Sequence, residues 1–161
     1  MANICDNFVT CTGSATNITK FKKVIEDGIQ FSLTNLVATS LGVDIVSGYF
    51  FEIYLNEQDD PKVLTFSYTT KWAPNLQDLA TLAKKHKIGM VCEYNECGMA
   101  LYGTATIDRH GFINDDEVSA EFIDLLEYND ETGCYEYDGI EYETEGDFIN
   151  EKYAEWKVAN Q

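Results

Sequence analysis

The chain has 161 residues, 45% of them apolar, and a formal net charge of −17 at pH 7. That size and apolar content suit one domain with a core, or a small domain with an extension, and rule out disorder as the default. Residues 1–112 hold 12 acidic and 9 basic side chains, residues 113–161 hold 16 and 2. Bare nucleic acid, which needs clustered Lys and Arg, is thereby excluded as a direct partner.

In chain order, Ile4–Thr12 reads as a strand with Cys5, Asn7, Val9 and Cys11 on one face. Ser14 or Thr16 can cap a helix whose apolar stripe is Ile18, Phe21, Val24, Ile25 and Ile29, with Gly28 at its end. Residues 31–47 are apolar without a clean period, and a short helix with a loop or an irregular insertion both fit. Tyr49–Leu55 alternates, with Tyr49, Phe51, Ile53 and Leu55 together. A polar turn through Pro61 pairs it with a strand over Lys62–Thr70. Pro74 suits the first turn of a helix ending at His86, where Lys84, Lys85 and Lys87 complement the negative pole. Ile88–Asn95 and Met99–Ile107 then form an antiparallel hairpin.

The acidic remainder reads as helix, hairpin, helix. Asn114 or Asp115 can cap a helix over Asp116–Tyr128 with a charge about every 3 Å, close to the ~3.4 Å of one DNA strand. Asp138-Gly139 between alternating runs is a strong hairpin signal, pairing Tyr137 with Ile140, Glu136 with Glu141 and Tyr135 with Tyr142. A last helix is expected over Asp147–Asn160, with Phe148, Ile149, Tyr153 and Trp156 as its apolar side, where Tyr and Trp can pack on the core. The expected class is α+β: a ferredoxin-like antiparallel sheet with two helices on one face, plus an acidic C-terminal helix–hairpin–helix extension. The expected division is a core over residues 1–112 and an extension over 113–161 packed on it.

Three runs resemble a known family. They are Met1-Ala2-Asn3-Ile4-Cys5-Asp6-Asn7 through Gly13, Phe66-Ser67-Tyr68-Thr69-Thr70-Lys71-Trp72-Ala73-Pro74, and Tyr94-Asn95-Glu96-Cys97-Gly98-Met99-Ala100-Leu101-Tyr102-Gly103. They look like the YubB-type ferredoxin-like family carried on plasmids and phages. The resemblance implies a fold and a mobile-element setting, and no activity.

No motif carries chemistry. No phosphate loop or Gly-x-Ser-x-Gly elbow is present. Cys92 and Cys97 fall on opposite strand faces, which does not suit zinc. Neither Gly133 nor Gly139 has an aspartate five residues before it, so no EF-hand loop exists. Neither a metal nor another cofactor is expected. No apolar run approaches the ~18 residues of a membrane helix. The opening residues lack the basic and apolar regions of a signal peptide, and five cysteines without framework spacing suit a reduced cytoplasmic protein.

The charge therefore leads the functional reading: a non-enzymatic interaction protein, in one form a DNA mimic acting against host defence, presenting acid to a basic protein partner. Its expected face is Asp116, Glu117, Glu121, Asp124, Glu127, Glu136, Glu141 and Glu143. The plainer reading is acid that only keeps the chain soluble. A second reading is a small ligand-binding domain or hydrolase, with a pocket at Lys71, Trp72, Glu93, Tyr94 and Glu96. A third is a self-associating structural module.

Overall fold

The computed structural model describes residues 3–30, 50–56, 58–96, 98, 101–118 and 125–159. Among them the order is β1 (Ile4–Thr12), α1 (Ala15–Gln30), β2 (Phe51–Asn56), β3 (Val63–Lys71), α2 (Leu76–His86), β4 (Gly89–Glu96), β5 (Leu101–Ile107), β6 (Ile113–Val118), β7 (Glu127–Asn129), β8 (Cys134–Tyr137), β9 (Ile140–Tyr142) and α3 (Glu145–Ala159). The irregular run expected over residues 31–47 lies outside the described residues.

The strands order as β2-β3-β1-β4-β5-β6 in one sheet and β7-β8-β9 in a second. The first four strands are the split βαβ pair of a ferredoxin-like domain: β1 and β2 run parallel with β3 between them, and β3 and β4 run parallel with β1 between them. The hairpin β4–β5 and then β6 extend that sheet on one side.

One face of the sheet is covered. Cys5, Val9 and Cys11 of β1, Leu64, Phe66 and Tyr68 of β3, and Met90, Cys92 and Tyr94 of β4 share a core with Ile18, Phe21 and Ile25 of α1 and Leu79, Leu82 and Ala83 of α2. The period of two in the strands and the helical stripes meet there, each large side chain contributing about 1.5–3 kcal/mol. Ser14 Oγ accepts the Asn17 N–H at 3.3 Å and caps α1. Gly28 sits inside the last turn rather than ending the helix, which runs on to Gln30.

Three expectations are corrected. The helix over Asp116–Tyr128 is absent at both of its described ends: β6 occupies residues 113–118 and β7 begins at Glu127. The cause is the turn before it. Asp108 Oδ1 accepts the N–H groups of His110 at 2.8 Å and Phe112 at 2.9 Å, and Gly111 adopts φ +86°, so the chain doubles back onto the β5 edge. The boundary expected after residue 112 thus falls at a hairpin turn between two strands of one sheet. In β2, a register shift between Phe51 and Tyr54, with Glu52 at φ +48°, breaks the expected alternation. Phe51 then pairs with Thr69 and faces away from the helices, while Leu55 pairs with Phe66 and faces them.

The second sheet has a small core of its own. Tyr142, Phe148 and Ile149 bury themselves with Tyr102 of β5, which ties this unit to the main sheet on the side away from α1 and α2. A capping box starts α3: Thr144 Oγ1 accepts the Asp147 N–H at 3.2 Å, and Asp147 Oδ2 accepts the Thr144 N–H at 3.1 Å. No described helix is long and apolar enough to cross a membrane.

Candidate functional site: a glutamate row and an acidic cleft

The hairpin β8–β9 turns on Asp138 at φ +50° and Gly139 at φ +78°, the pair of left-handed residues that a two-residue turn of matching twist requires. It fixes the expected register of Tyr137 with Ile140, Glu136 with Glu141, and Tyr135 with Tyr142. β7 adds a strand that the sequence did not reveal, pairing Glu127 with Glu136 and Tyr128 with Tyr135. The consequence is two transverse rows. Tyr128, Tyr135 and Tyr142 line one face, and Glu127, Glu136 and Glu141 the other, at the ~4.8 Å spacing of neighbouring strands. Asn129 Nδ2 donates to Glu136 Oε2 at 3.3 Å. Among the described residues no salt bridge reaches the row.

Lys152, one of the two bases in residues 113–161, is turned inward. Its ammonium lies 5.0 Å from the Tyr137 ring centre and 2.9 Å from Glu155 Oε2. It therefore neutralises its own helix and not the glutamate row.

A second acidic feature lies at one end of the main sheet, where α2 begins. A cleft of about 320 Å3 is lined by Asn75, Asp78, Tyr94, Asp115 and Glu117 together with apolar side chains such as Leu76 and Leu101. The period of β6 sends Asp115 and Glu117 to this side, opposite Ala105 and Gly103, and sends Asp116 to the other. Tyr94 Oη donates to Asp115 Oδ1 at 2.8 Å. Burial, and then that hydrogen bond, hold the Tyr94 phenol well above the ordinary tyrosine range. Burial also raises Asp78, with an Asn75 hydrogen bond working against it. Asn75 Oδ1 accepts from Tyr68 Oη at 2.6 Å, while Glu96 Oε2 is buried without a hydrogen-bond partner among the described residues.

Three carboxylates and no lysine, arginine or histidine among the lining residues make this cleft repel anions and favour cationic groups. Burial pushes the Cys5 thiol up to about 11, and pushes Cys11 and Cys92 higher still. Among the described residues no three ligating side chains are placed to hold a metal ion.

The structure divides the expected pocket. Tyr94 lines the cleft, and Glu96 is 2% exposed on the same face of β4, with Oε1 accepting the Gly98 N–H at 3.0 Å. Glu93 points to the opposite face of the sheet, because neighbours along a strand alternate. Lys71 is exposed at the strand end, 5.7 Å over the Phe51 ring. Trp72 is 50% exposed at φ +71°, with its N–H on Asn3 O. The five do not converge. Of the expected acidic face, Glu127, Glu136 and Glu141 form the row and Glu143 is exposed beyond β9. Asp116 and Glu117 lie on a strand instead of a helix, and Glu121 and Asp124 lie outside the described residues. Sequence reasoning missed Asn75, Asp78 and Asp115 as cleft residues. No local signal marks the first two, whereas Asp115 follows from β6 once the Asp108 turn is recognised.

Residues 50–138 match the family model described as the ferredoxin-like domain in Api92-like protein. A crystal structure of a protein api92 from Yersinia pseudotuberculosis is similar at 16% identity and a TM-score of 0.40, over 54% of this chain and 30% of that one. No curated protein matches the chain.

Proposed function

The chain belongs to the family of ferredoxin-like domains found in Api92-like proteins, and we propose that this member is a non-enzymatic interaction protein that presents the acid of residues 113–161 to a basic protein partner. The observation that carries the reading is the row Glu127–Glu136–Glu141. Directly opposed like charges destabilise a sheet. Solubility alone is served as well by the same charges dispersed, so a row that concentrates them in one plane needs another reason. A cationic surface supplies one, by relieving the repulsion on docking.

The DNA-mimic form of this reading rests on strand spacing rather than on an acidic helix. Carboxylates at ~4.8 Å across the small sheet, with further acid on the β6 edge, form a dense anionic surface of the kind a phosphate-binding protein accepts. The YubB-like runs in the sequence support a mobile-element setting, in which a basic host-defence protein is a fitting target. The free thiols of Cys5, Cys11, Cys92 and Cys134 support a reducing, cytoplasmic compartment.

The test is capture on the immobilised chain at low salt, followed by elution at high salt. A basic protein that elutes as salt rises, and whose DNA binding the free chain competes away, supports the reading. Recovery of only acidic or salt-insensitive partners refutes it.

A further inference from the structure

We propose that the open face of the six-stranded sheet, centred on Phe8, docks an arginine-bearing segment of the basic partner, with a guanidinium stacked on the Phe8 ring beside Asp6 and Glu93. This rests on the reading above and adds, for the same basic partner, a second contact outside residues 113–161.

Among the described residues the helices cover one side of the sheet, and the other carries exposed side chains on β1 and β2. On that side one transverse row runs Tyr54, Ser67, Phe8, Glu93, Thr104, Asp116. Phe8 stands mid-strand in a central strand yet is 43% exposed, and Tyr54, two strands away in the same row, is 64% exposed. Ile4, on the same face of β1, is 50% exposed. Single exposed apolar side chains need no explanation, but three on one sheet face form a patch. Phe8 is left bare because its register partner on β3 is Ser67, too small to cover a ring.

The charges beside the ring select the occupant. Asp6 is two residues before Phe8 on the same face, about 6.8 Å along the strand, and Glu93 is directly opposite on β4. Asp116 continues the acid along the row. A nucleobase could stack on Phe8, but its phosphates would meet these carboxylates, so nucleic acid is disfavoured. A guanidinium gains from both the ring face and the carboxylates, and its planar fork suits this arrangement better than an ammonium does. The small sheet and α3 already occupy the far side of this face, where Tyr102 is 3% exposed beneath Tyr142, Phe148 and Ile149. Among the described residues nothing covers Phe8 and Tyr54 on the β1–β3–β2 side.

The experiment is an amide-resolved NMR titration of the full chain with a short oligoarginine peptide, with oligolysine as comparison, on wild type, Phe8→Ala and Asp6→Asn. The expected result is shifts centred on β1 and its neighbours in β3 and β4. Each variant should weaken oligoarginine by about two- to fivefold, and Phe8→Ala should affect oligolysine less. The mapping on wild type stands whether or not a variant folds. Shifts confined to β7–β9, an affinity unchanged by Phe8→Ala, or a single-stranded oligonucleotide binding at Phe8 would each overturn the inference. The first two leave the proposed function standing, whereas failure of both peptides to bind at low salt removes that reading as well.

Discussion

Glu136 is flanked by a carboxylate on each neighbouring strand, Glu127 on one side and Glu141 on the other. Replacing it with Gln should therefore stabilise the small sheet. A directly opposed like pair destabilises by roughly 0.2–1 kcal/mol. Solvent around the exposed Glu127 and Glu141 keeps each pair toward the lower end, so removing two yields about 0.4–1 kcal/mol. Gln retains an oxygen acceptor for Asn129 Nδ2, so no hydrogen bond is lost in exchange. Salt supplies the control. The screening length is about 10 Å at 0.1 M, longer than the ~4.8 Å between strands, and about 3 Å at 1 M. Urea denaturation with hydrogen exchange on β8 amides should show the gain at 0.1 M and little of it at 1 M. Glu127→Gln and Glu141→Gln should each give about half, and the two combined should match Glu136→Gln, because they abolish the same two contacts. A gain independent of salt, or none at 0.1 M, would refute the argument. The same variant should lose affinity for a basic partner, so stability and binding are expected to move in opposite directions.

Phe148→Ala should cost about 3–5 kcal/mol locally, since the ring is fully buried and meets Tyr137 at 5.1 Å and Tyr142 at 5.3 Å. In hydrogen exchange, β8, β9 and α3 should lose protection while β1, β3 and β4 keep theirs; equal loss in both sheets would refute the separation of the two cores. Among Cys5, Cys11, Cys92 and Cys134, a thiol reagent at mildly alkaline pH should label Cys134 first, because the other three are buried and their thiols raised. Peptide mass spectrometry that finds Cys5 labelled as fast would contradict their burial. His86 is held below its usual 6.5 by burial, with Lys85 and Lys20 adding repulsion. Its contribution to stability is therefore present above that pH and lost as pH falls through the lower folded value. The stability difference between wild type and His86→Gln should shrink on acidification, and a difference that grows would reverse the sign.

The sequence reveals what short-range pattern controls. β1 is readable because Cys5, Asn7, Val9 and Cys11 recur at every second residue, and the β8–β9 register is readable because Asp138-Gly139 permits one tight turn. β6 is hidden because Asn114 followed by acids imitates a helix start, while the strand is imposed from outside, by pairing with β5. An edge strand tolerates such charge, which in turn discourages pairing with another chain. Glu96 was within reach: it shares the parity of Met90, Cys92 and Tyr94, so the period of two alone assigns it to the buried face. Trp72 was not, since nothing local to a tryptophan announces φ +71°.

Gly103 shows how one small residue links the sheet to the cleft. Its register partner is Tyr94, whose ring lies across it so closely that a Cβ would strike the phenol. That gap lets Tyr94 lie flat over β5 and reach Asp115 on β6. The cleft thus depends on a glycine in a strand interior, where glycine is otherwise unfavourable. The glutamate row lacks such a requirement. Tyr128, Tyr135 and Tyr142 already supply the aromatic face of the small sheet, so its other face needs only to be polar. Threonine or glutamine there would satisfy the fold and avoid the repulsion. The fold therefore accounts for the polarity of that face but not for its charge, and the charge is the part that a cationic partner would explain.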